Sequence, residues 1–508
     1  MGKIRGNTLG SKKGFKNLIF GVWAQVITIG MGILIPRLVL VNLGSEANGL
    51  MSSVSSVLSY MTLLEAGVGT ATVQALYKPF GESDRDGING IMAATDYFYK
   101  KTGCIYLCFV VILSVVYTVF VETSISKTSV FLVVIMAGMS GVLSYFFQGK
   151  YKLFLIAEGK NYVITNISTI ITVGVNLSKV LALVAGGNVV LIQSIYFLFN
   201  FIQMMVLLAY MKKNYSWINL KVEPNYRAIS QKKAVLIHQV TELIFNNTDV
   251  IVLTAFTSLK TVSVYSMYAM IFGMVKAVAV VFSDSFSYML GQSYNDKKRF
   301  HKLFNAYEIY NMAITFAFFC VASILMLPFL KLYTNGINDI NYIDPYVLWL
   351  FVTFYLLQNG RKASQTVINI AQHFEKTKWR TVTEAIINLV CSVILTAKLG
   401  IYGVLWGTVL ALLYRTNDVI FYTAKLLERS PMVTYRRWMT NIATFCGLIY
   451  VASLFSFEAD NYVVLFIDGC VLVCIVVPLF LFVNSVLEKK YVKYLFEILK
   501  KKIQQRRK

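Results

Sequence analysis

Six cationic side chains lie inside long apolar stretches of the sequence, where charged residues are rare. A cation at the centre of a membrane span costs about 2.5–3.5 kcal/mol on insertion scales, so such residues commonly mark a binding site or an ion pathway. Guanidinium and ammonium groups are suited to hold a phosphate or a carboxylate there. The six residues are Arg37, Lys179, Lys276, Arg361, Lys362 and Arg415.

Charged residues from the second half of the chain fall into one predicted layer. A rise of 1.5 Å per residue places this layer about 21–24 Å below the outer ends of the helices, slightly on the cytoplasmic side of the midplane. The layer holds Arg361, Arg415, Lys276, Glu242 and Glu384, and Lys362 follows Arg361. We predict that its cations line a cavity and bind an anionic substrate. The alternative is a structural network of ion pairs, for which Arg415 and Asp418 have the spacing i, i+3.

The composition indicates that these residues lie in a membrane protein. The chain has 508 residues, of which 57% are hydrophobic and 14% charged. Lysine and arginine concentrate in every second gap between about fourteen apolar segments of spanning length, and this places both termini in the cytoplasm. The sequence therefore predicts an all-α polytopic membrane protein. Because the net charge of +23 is spread over short loops, we expect anionic membrane lipids as partners and no nucleic acid.

A weak internal repeat divides the chain. The longest polar cytoplasmic stretch follows the sixth span, and each half opens with a rising span, a short turn and a long descending helix. This plan predicts two pseudo-symmetric lobes of six helices with two further helices appended, and transporters built in this way bind substrate where the halves meet. The predicted parts are an N-lobe at 1–210, a linker at 211–233, a C-lobe at 234–430, spans thirteen and fourteen at 431–487, and a basic cytoplasmic tail at 488–508.

Several short strings, in this order and at this spacing, resemble one transporter family. They are LGSEANGL at 43–50, YMTLLEAG at 60–67, SYFFQ at 144–148 and NNTDVI at 246–251. The chain is similar to Wzx-type polysaccharide transporters of the multidrug/oligosaccharidyl-lipid/polysaccharide (MOP) exporter superfamily. The resemblance implies a flippase of the bacterial cytoplasmic membrane. Its cargo would be undecaprenyl-diphosphate-linked oligosaccharide, moved to the outer leaflet by alternating access for O-antigen, capsule or exopolysaccharide assembly, with a polymerase and glycosyltransferases as partners.

The resemblance assigns roles to further residues. The cavity cations would hold the lipid diphosphate. Arg37 and Asp249 lie about 5 to 8 residues below the outer ends of the first spans of the two halves, and we predict that they form an outer gate pair. At similar depth, Lys179 is expected to snorkel towards the membrane surface. We name Glu65, Glu242 and Glu384 as candidates for proton or ion coupling, because burial favours the protonated carboxyl; packing support is the alternative for Glu65.

Other chemistries find little support in the sequence. The three histidines are isolated and the seven cysteines fall inside predicted spans, so we expect no metal site, cofactor or catalytic residue. An enzyme acting at the outer face would need a longer outer loop than the sequence provides. A flippase for peptidoglycan or teichoic precursors remains open. A drug or cation antiporter of the same superfamily also remains open, although its cationic cargo would favour an acidic cavity.

Overall fold

The computed structural model describes most of the chain. Its backbone covers residues 2–65, 68–229, 233–294, 296–455, 457 and 461–491. Side chains are described from residue 30 onward in these ranges, apart from 64, 233–240, 242, 281–289 and 292. The basic tail predicted at 488–508 thus lies largely outside the described residues.

The described chain is helical throughout its regular structure and contains no β-strand. Its helices group into fourteen long segments, which confirms the predicted all-α polytopic class. Eight of the described segments are long and apolar enough to cross a membrane: Arg85–Phe120, Lys127–Ala157, Asn161–Val184, Val189–Asn214, Leu259–Val280, Lys297–Tyr333, Phe374–Leu399 and Tyr462–Leu487. The candidate site described below includes residues of other helices of the second unit.

The first compact unit comprises Met1–Ser263. Its helices are α1 (Gly2–Ser59), α2 (Val68–Glu82), α3 (Arg85–Phe120), α4 (Lys127–Leu143), α5 (Gly149–Ala157), α6 (Asn161–Val184), α7 (Val189–Asn214) and α8 (Lys233–Phe256). A 3₁₀ turn at Tyr60–Leu64 follows α1, and a π-helical segment at Ser144–Gln148 joins α4 to α5. A kink interrupts α1 at Gly44, whose φ of 82° is a positive value that glycine adopts without steric cost.

The second compact unit comprises Val264–Lys508. It contains most of α9 (Leu259–Ser293), then α10 (Lys297–Tyr333), α11 (Pro345–Gly360), α12 (Lys362–Ile370), α13 (Phe374–Leu399), α14 (Ile401–Leu426), α15 (Met432–Ala452) and α16 (Tyr462–Leu487). The division at Ser263 lies within α9, so that α8 packs with the first unit. The lobe boundaries derived from the sequence stay a prediction.

Short polar side chains begin many of these helices. A carboxylate oxygen of Asp344 accepts hydrogen bonds from the backbone N–H groups of Tyr346 and Val347. The side-chain amide oxygen of Asn461 accepts them from Val463 and Val464. Such caps satisfy N–H groups that have no partner within the helix. Similar caps are formed by Asp84, Ser126, Asn188 and Asp296. The cap at Asp344 thus fixes where α11 begins, and with it the position of Arg361, the residue that follows the end of this helix.

Helices α13 and α14 pack at very short distance. A Cβ atom added at Gly403 would lie 2.3 Å from the backbone of Leu395, and one added at Gly407 would lie 2.5 Å from the backbone nitrogen of Ser392. These glycines have the spacing of the GxxxG motif, which lets two membrane helices approach closely. The close approach sets the distance between Glu384 of α13 and Arg415 of α14.

We expect Gly407→Ala to destabilise the second unit. The new methyl group would meet backbone atoms that cannot move aside, at a cost of about 1–3 kcal/mol. The measurement is the midpoint of thermal unfolding in detergent, which should fall by several degrees. Gly447→Ala is the matched control, because a Cβ there meets nothing within 4 Å. Equal midpoints for the two variants would refute the close packing of α13 on α14.

Candidate functional site

Arg361 occupies a break between two helices. It follows the last residue of α11 and precedes α12, with φ of −79° and ψ of −6°. At the preceding Gly360, an added Cβ would lie 2.5 Å from the indole ring of Trp438 on α15, so the backbone approaches this ring closely. The side chain of Arg361 is 14% exposed. The break therefore presents a nearly buried guanidinium from the middle of a long helical segment.

Ion pairs join Arg361 to α13 and α14. Its Nη2 donates to Oε1 of Glu384 at 2.6 Å, while Nε of Arg415 lies 3.4 Å from Oε2 of the same carboxylate. Arg415 also donates through Nη1 to Asp418 at 2.5 Å. Glu384 thus bridges two arginines that the sequence places far apart. Three residues of the predicted layer, Arg361, Glu384 and Arg415, thus meet in the second unit. With Arg380 and Asp418 they form what we call the arginine cluster.

The cluster carries an excess of positive charge. Arg380 donates to Asp418, so three guanidinium groups face two carboxylates. The guanidinium of Arg380 also lies over the ring of Tyr422, 5.0 Å from its centroid, where the π face attracts a cation. The Tyr422 hydroxyl contacts Nδ1 of His373 at 2.9 Å. Partial burial, with a smaller contribution from Lys376, lowers the pKa of His373, so this ring adds little positive charge at neutral pH.

The two central arginines differ in the donors they leave free. Nε, Nη1 and Nη2 of Arg415 face Glu384, Asp418 and Thr381, respectively. Nη1 of Arg361, in contrast, is buried and has no hydrogen-bond partner. A buried donor without an acceptor is costly, because its desolvation is not compensated. Arg361 is therefore equipped to donate to an added oxygen atom, whereas Arg415 holds the acidic residues in place.

The other two predicted cavity cations lie near Arg361. Nζ of Lys276 on α9 donates to Oε1 of Gln358 at 2.9 Å. Gln358 precedes Arg361 by three residues, or about one helical turn. Lys362 directly follows Arg361 and is half-buried. The structure thus brings Lys276 and Lys362 into the neighbourhood of the arginine cluster, and their role in binding stays a prediction.

The candidate gate and coupling residues of the first unit have different surroundings. Arg37 is half-buried, and Asp249 is buried next to Thr248, whose hydroxyl contacts Tyr60 at 3.2 Å. Their pairing stays a prediction. Glu65 accepts a hydrogen bond from the hydroxyl of Tyr99. The side chain of Glu242 lies outside the described residues, and Glu384 belongs to the arginine cluster.

Lys179 does not snorkel to the surface as expected. It is 8% exposed, and its ammonium group lies 5.2 Å from the ring centroid of Tyr196, beside a cavity of the first unit. The expectation rested on depth alone, whereas the helix turns this residue inward.

Sequence reasoning missed one buried ion-pair network and one member of the arginine cluster. Glu308 on α10 is fully buried. Its carboxylate forms ion pairs with Nη2 of Arg429, at 2.8 Å, and with Nη1 of Arg437. Charges in this region were interpreted as loop residues that fix topology. Arg380 was assigned to a cytoplasmic gap in the same way. Arg380 and Glu384 are four residues apart, and this spacing predicts that their side chains lie on the same face of one helix.

We expect Glu384→Gln to destabilise the protein strongly. The substitution leaves Arg361 and Arg415 buried with fewer compensating charges, which costs about 3–5 kcal/mol. The double variant Glu384→Gln/Arg361→Gln should recover part of this loss, because it removes one unpaired charge. Unfolding in mixed detergent micelles measures both.

Glu375→Gln on the same helix is the control for this prediction. Glu375 pairs with Lys378 but is 65% exposed, and such pairs contribute about 0–1 kcal/mol. Equal losses for Glu375→Gln and Glu384→Gln would show that the cluster contributes nothing beyond an ordinary surface charge.

Comparison with known proteins identifies the fold. No protein-family model and no curated protein sequence matches the chain. Among solved structures, the chain is similar to lipid II flippase MurJ in an inward closed conformation, with TM-score 0.70 and 12% identity over 94% of this chain and 100% of that one. An inward-facing MATE multidrug transporter of the MOP superfamily matches with TM-score 0.62 and 14% identity over 79% of this chain and 94% of that one.

A further likeness is to a MOP superfamily transporter from Pyrococcus furiosus. It has TM-score 0.50 and 14% identity, and covers 82% of this chain and 96% of that one. At such low identities the likeness concerns the fold alone. The chain is a multi-pass, all-helical membrane protein with the fold that MurJ shares with transporters of the MOP superfamily.

Proposed function

We propose that this protein is a flippase for a polyprenyl-diphosphate-linked oligosaccharide. The cargo would move from the cytoplasmic to the outer leaflet of the bacterial cytoplasmic membrane, with both termini of the protein in the cytoplasm. The fold supports transport in general terms, because MurJ and the MATE transporters have it. The cargo class follows from the charges of the candidate site and from the Wzx-like sequence strings.

The free Nη1 donor of Arg361 is the observation that carries this proposal. It lies in a buried cluster with an excess of cations and lacks an acceptor. A diphosphate offers several charged oxygens, and the planar guanidinium donates to them at well-defined angles. Because hydrocarbon cannot solvate a diphosphate, a transporter must supply such donors along the path. Lys276 and Lys362 would add charge near the same point, and Arg415 would hold Glu384 and Asp418.

The charge of the cargo provides part of the driving force. An anion that moves outward across an inside-negative membrane gains about 2.3 kcal/mol per charge and 100 mV, provided that no compensating charge travels with it. Exchange of a proton at Glu65 or Glu242 would couple transport to a second gradient. Arg37 and Asp249 would close the outer side by pairing. Glycosyltransferases would act before transport and a polymerase after it.

A peptidoglycan or teichoic precursor is the second candidate cargo. The likeness to lipid II flippase MurJ over 94% of the chain favours it, against 79% for the MATE transporter. Lipid II also carries a diphosphate, so the same arginines would serve. A cationic drug is disfavoured, because the excess of guanidinium groups in the arginine cluster would repel it.

The test neutralises Arg361 and Arg415 together. In proteoliposomes that contain a fluorescent undecaprenyl-diphosphate oligosaccharide, the Arg361→Gln/Arg415→Gln variant should lose at least about 100-fold of the flipping rate, since each charged contact contributes about 1.5–3 kcal/mol. Arg361→Lys should retain a reduced rate, because it keeps the charge and loses the planar fork. Flipping is measured as the fraction of label that an added membrane-impermeant quencher reaches.

Arg299→Gln is the matched control, because Arg299 is exposed in the first turn of α10. It should flip cargo at the wild-type rate. A doubly neutralised protein that is well folded and fully active would refute the proposal. Flipping of lipid II but not of the oligosaccharide would select the second candidate, and transport of a cationic drug alone would select the antiporter.

A further inference from the structure

A cavity in the first unit has no role in the mechanism described so far. It measures about 520 Å³ and is lined by residues of α1, α3, α4, α5, α6 and α7 and of the π-helical segment. Pockets that hold small ligands commonly measure about 300–1,000 Å³. Every lining residue belongs to the first unit, whereas the arginine cluster belongs to the second.

The lining combines two cations with neutral polar groups. The described lining residues include Lys152 and Lys179 and no carboxylate. The amide side chains are Gln148, Gln193 and Asn200, and the hydroxyl groups come from Ser55, Ser140, Ser144, Tyr106 and Tyr196. Amides and hydroxyls both donate and accept hydrogen bonds, which suits a polyhydroxylated ligand. Tyrosine rings add flat apolar surface beside polar groups.

Lys179 is the cation that most needs a ligand. It is more than nine-tenths buried, and its ammonium forms neither an ion pair nor a hydrogen bond with the described residues. Its contact with the Tyr196 ring compensates only part of the lost hydration. Lys152 differs, because the carboxylate of Glu65 attracts it. A buried charge without a counter-charge is costly, and an anion in the cavity would remove that cost.

Two further features point to a built binding site. Gln193 on α7 is 6% exposed and lines the cavity, and its amide has no hydrogen-bond partner among the described residues. The segment Ser144–Gln148 has π-helical geometry, with the N–H of Gly149 donating to the carbonyl of Ser144. Such single π turns occur frequently at functional sites. Here the turn contributes Ser144 and Gln148 to the lining.

We propose that this cavity binds an acidic sugar unit, a hexose that carries a carboxylate or a phosphate. Lys179 would pair with the anionic group. Gln193, Gln148 and Asn200 would bind sugar hydroxyls, and Tyr196 would lie against the ring. This inference rests on the proposed function and refines it: the site would recognise an acidic residue of the lipid-linked glycan, apart from the diphosphate.

Titration by saturation-transfer NMR tests the proposal on the full-length protein in nanodiscs. The probes are D-glucuronate, D-glucose 1-phosphate and neutral D-glucose. The wild type should bind at least one of the anionic sugars more tightly than glucose, by about 10-fold or more. The preferred anion tells whether the site takes a carboxylate or a phosphate. Absence of binding for both anionic probes, or equal affinity for glucose, would overturn the proposal.

Substitutions locate the binding in this cavity. Lys179→Gln should weaken anionic sugar binding by about 10- to 100-fold and leave glucose affinity nearly unchanged. Gln193→Leu should weaken all three probes. Lys127→Gln is the matched control, because Lys127 is exposed at the start of α4 in the same unit. Anion affinity that persists in Lys179→Gln, with an unchanged unfolding midpoint, would contradict the assignment.

Flipping assays separate this inference from the proposed function. Lys179→Gln should slow the flipping of a glucuronate-containing lipid-linked oligosaccharide and leave that of a neutral oligosaccharide at the wild-type rate. If the wild type flips both cargoes but binds no acidic sugar, the cavity proposal fails alone. If acidic sugar binds through Lys179 but no cargo is flipped, the cavity proposal stands and the flippase proposal fails.

Discussion

The cost of burying charge among apolar helices governs this structure. Each ion removed from water loses several kcal/mol of solvation, and only close counter-charges and hydrogen bonds can return it. In the second unit this requirement joins α13 and α14 to the break between α11 and α12, since Glu384 binds Arg361 and Arg415. The glycines of α14 permit the short distance at which these pairs form. Packing and electrostatics therefore depend on each other at this point.

The same constraint explains why the appended helices are held firmly at one end. Glu308 on α10 is fully buried and forms ion pairs with Arg437 of α15 and with Arg429, which lies between α14 and α15. Arg437 also lies 3.3 Å from Glu488 at the end of α16. One acidic residue thus ties several helix ends together. Nε of Arg429 and Nη2 of Arg437 are buried without a hydrogen-bond partner, as Nη1 of Arg361 is. Because Arg429 and Arg437 both pair with the fully buried Glu308, we interpret this network as structural and assign it no part in transport.

Sequence patterns predicted the helices well and the charge contacts only in part. Long apolar runs identify the helices, because the length and hydropathy of a segment determine whether it can span the membrane. Capping residues such as Asp344 and Asn461 mark where these helices begin. Counting residues placed Arg361, Arg415 and Glu384 at one depth, and the structure brings them together. Counting could not tell which face a residue takes. Lys179 was therefore assigned to the membrane surface and Arg380 to a loop. The actual surroundings of both side chains depend on contacts with neighbouring helices.

The two sets of buried cations suit different parts of one cargo. In the arginine cluster most donors are already engaged, so a ligand there competes with Glu384 and Asp418 or uses the remaining N–H of Arg361. Such a site can release its ligand readily, as a transporter must. Lys179 has no competing carboxylate among the described residues, and binding there would be more selective for charge. We therefore expect the diphosphate to provide transient attraction along the path and the glycan to decide which cargo is accepted.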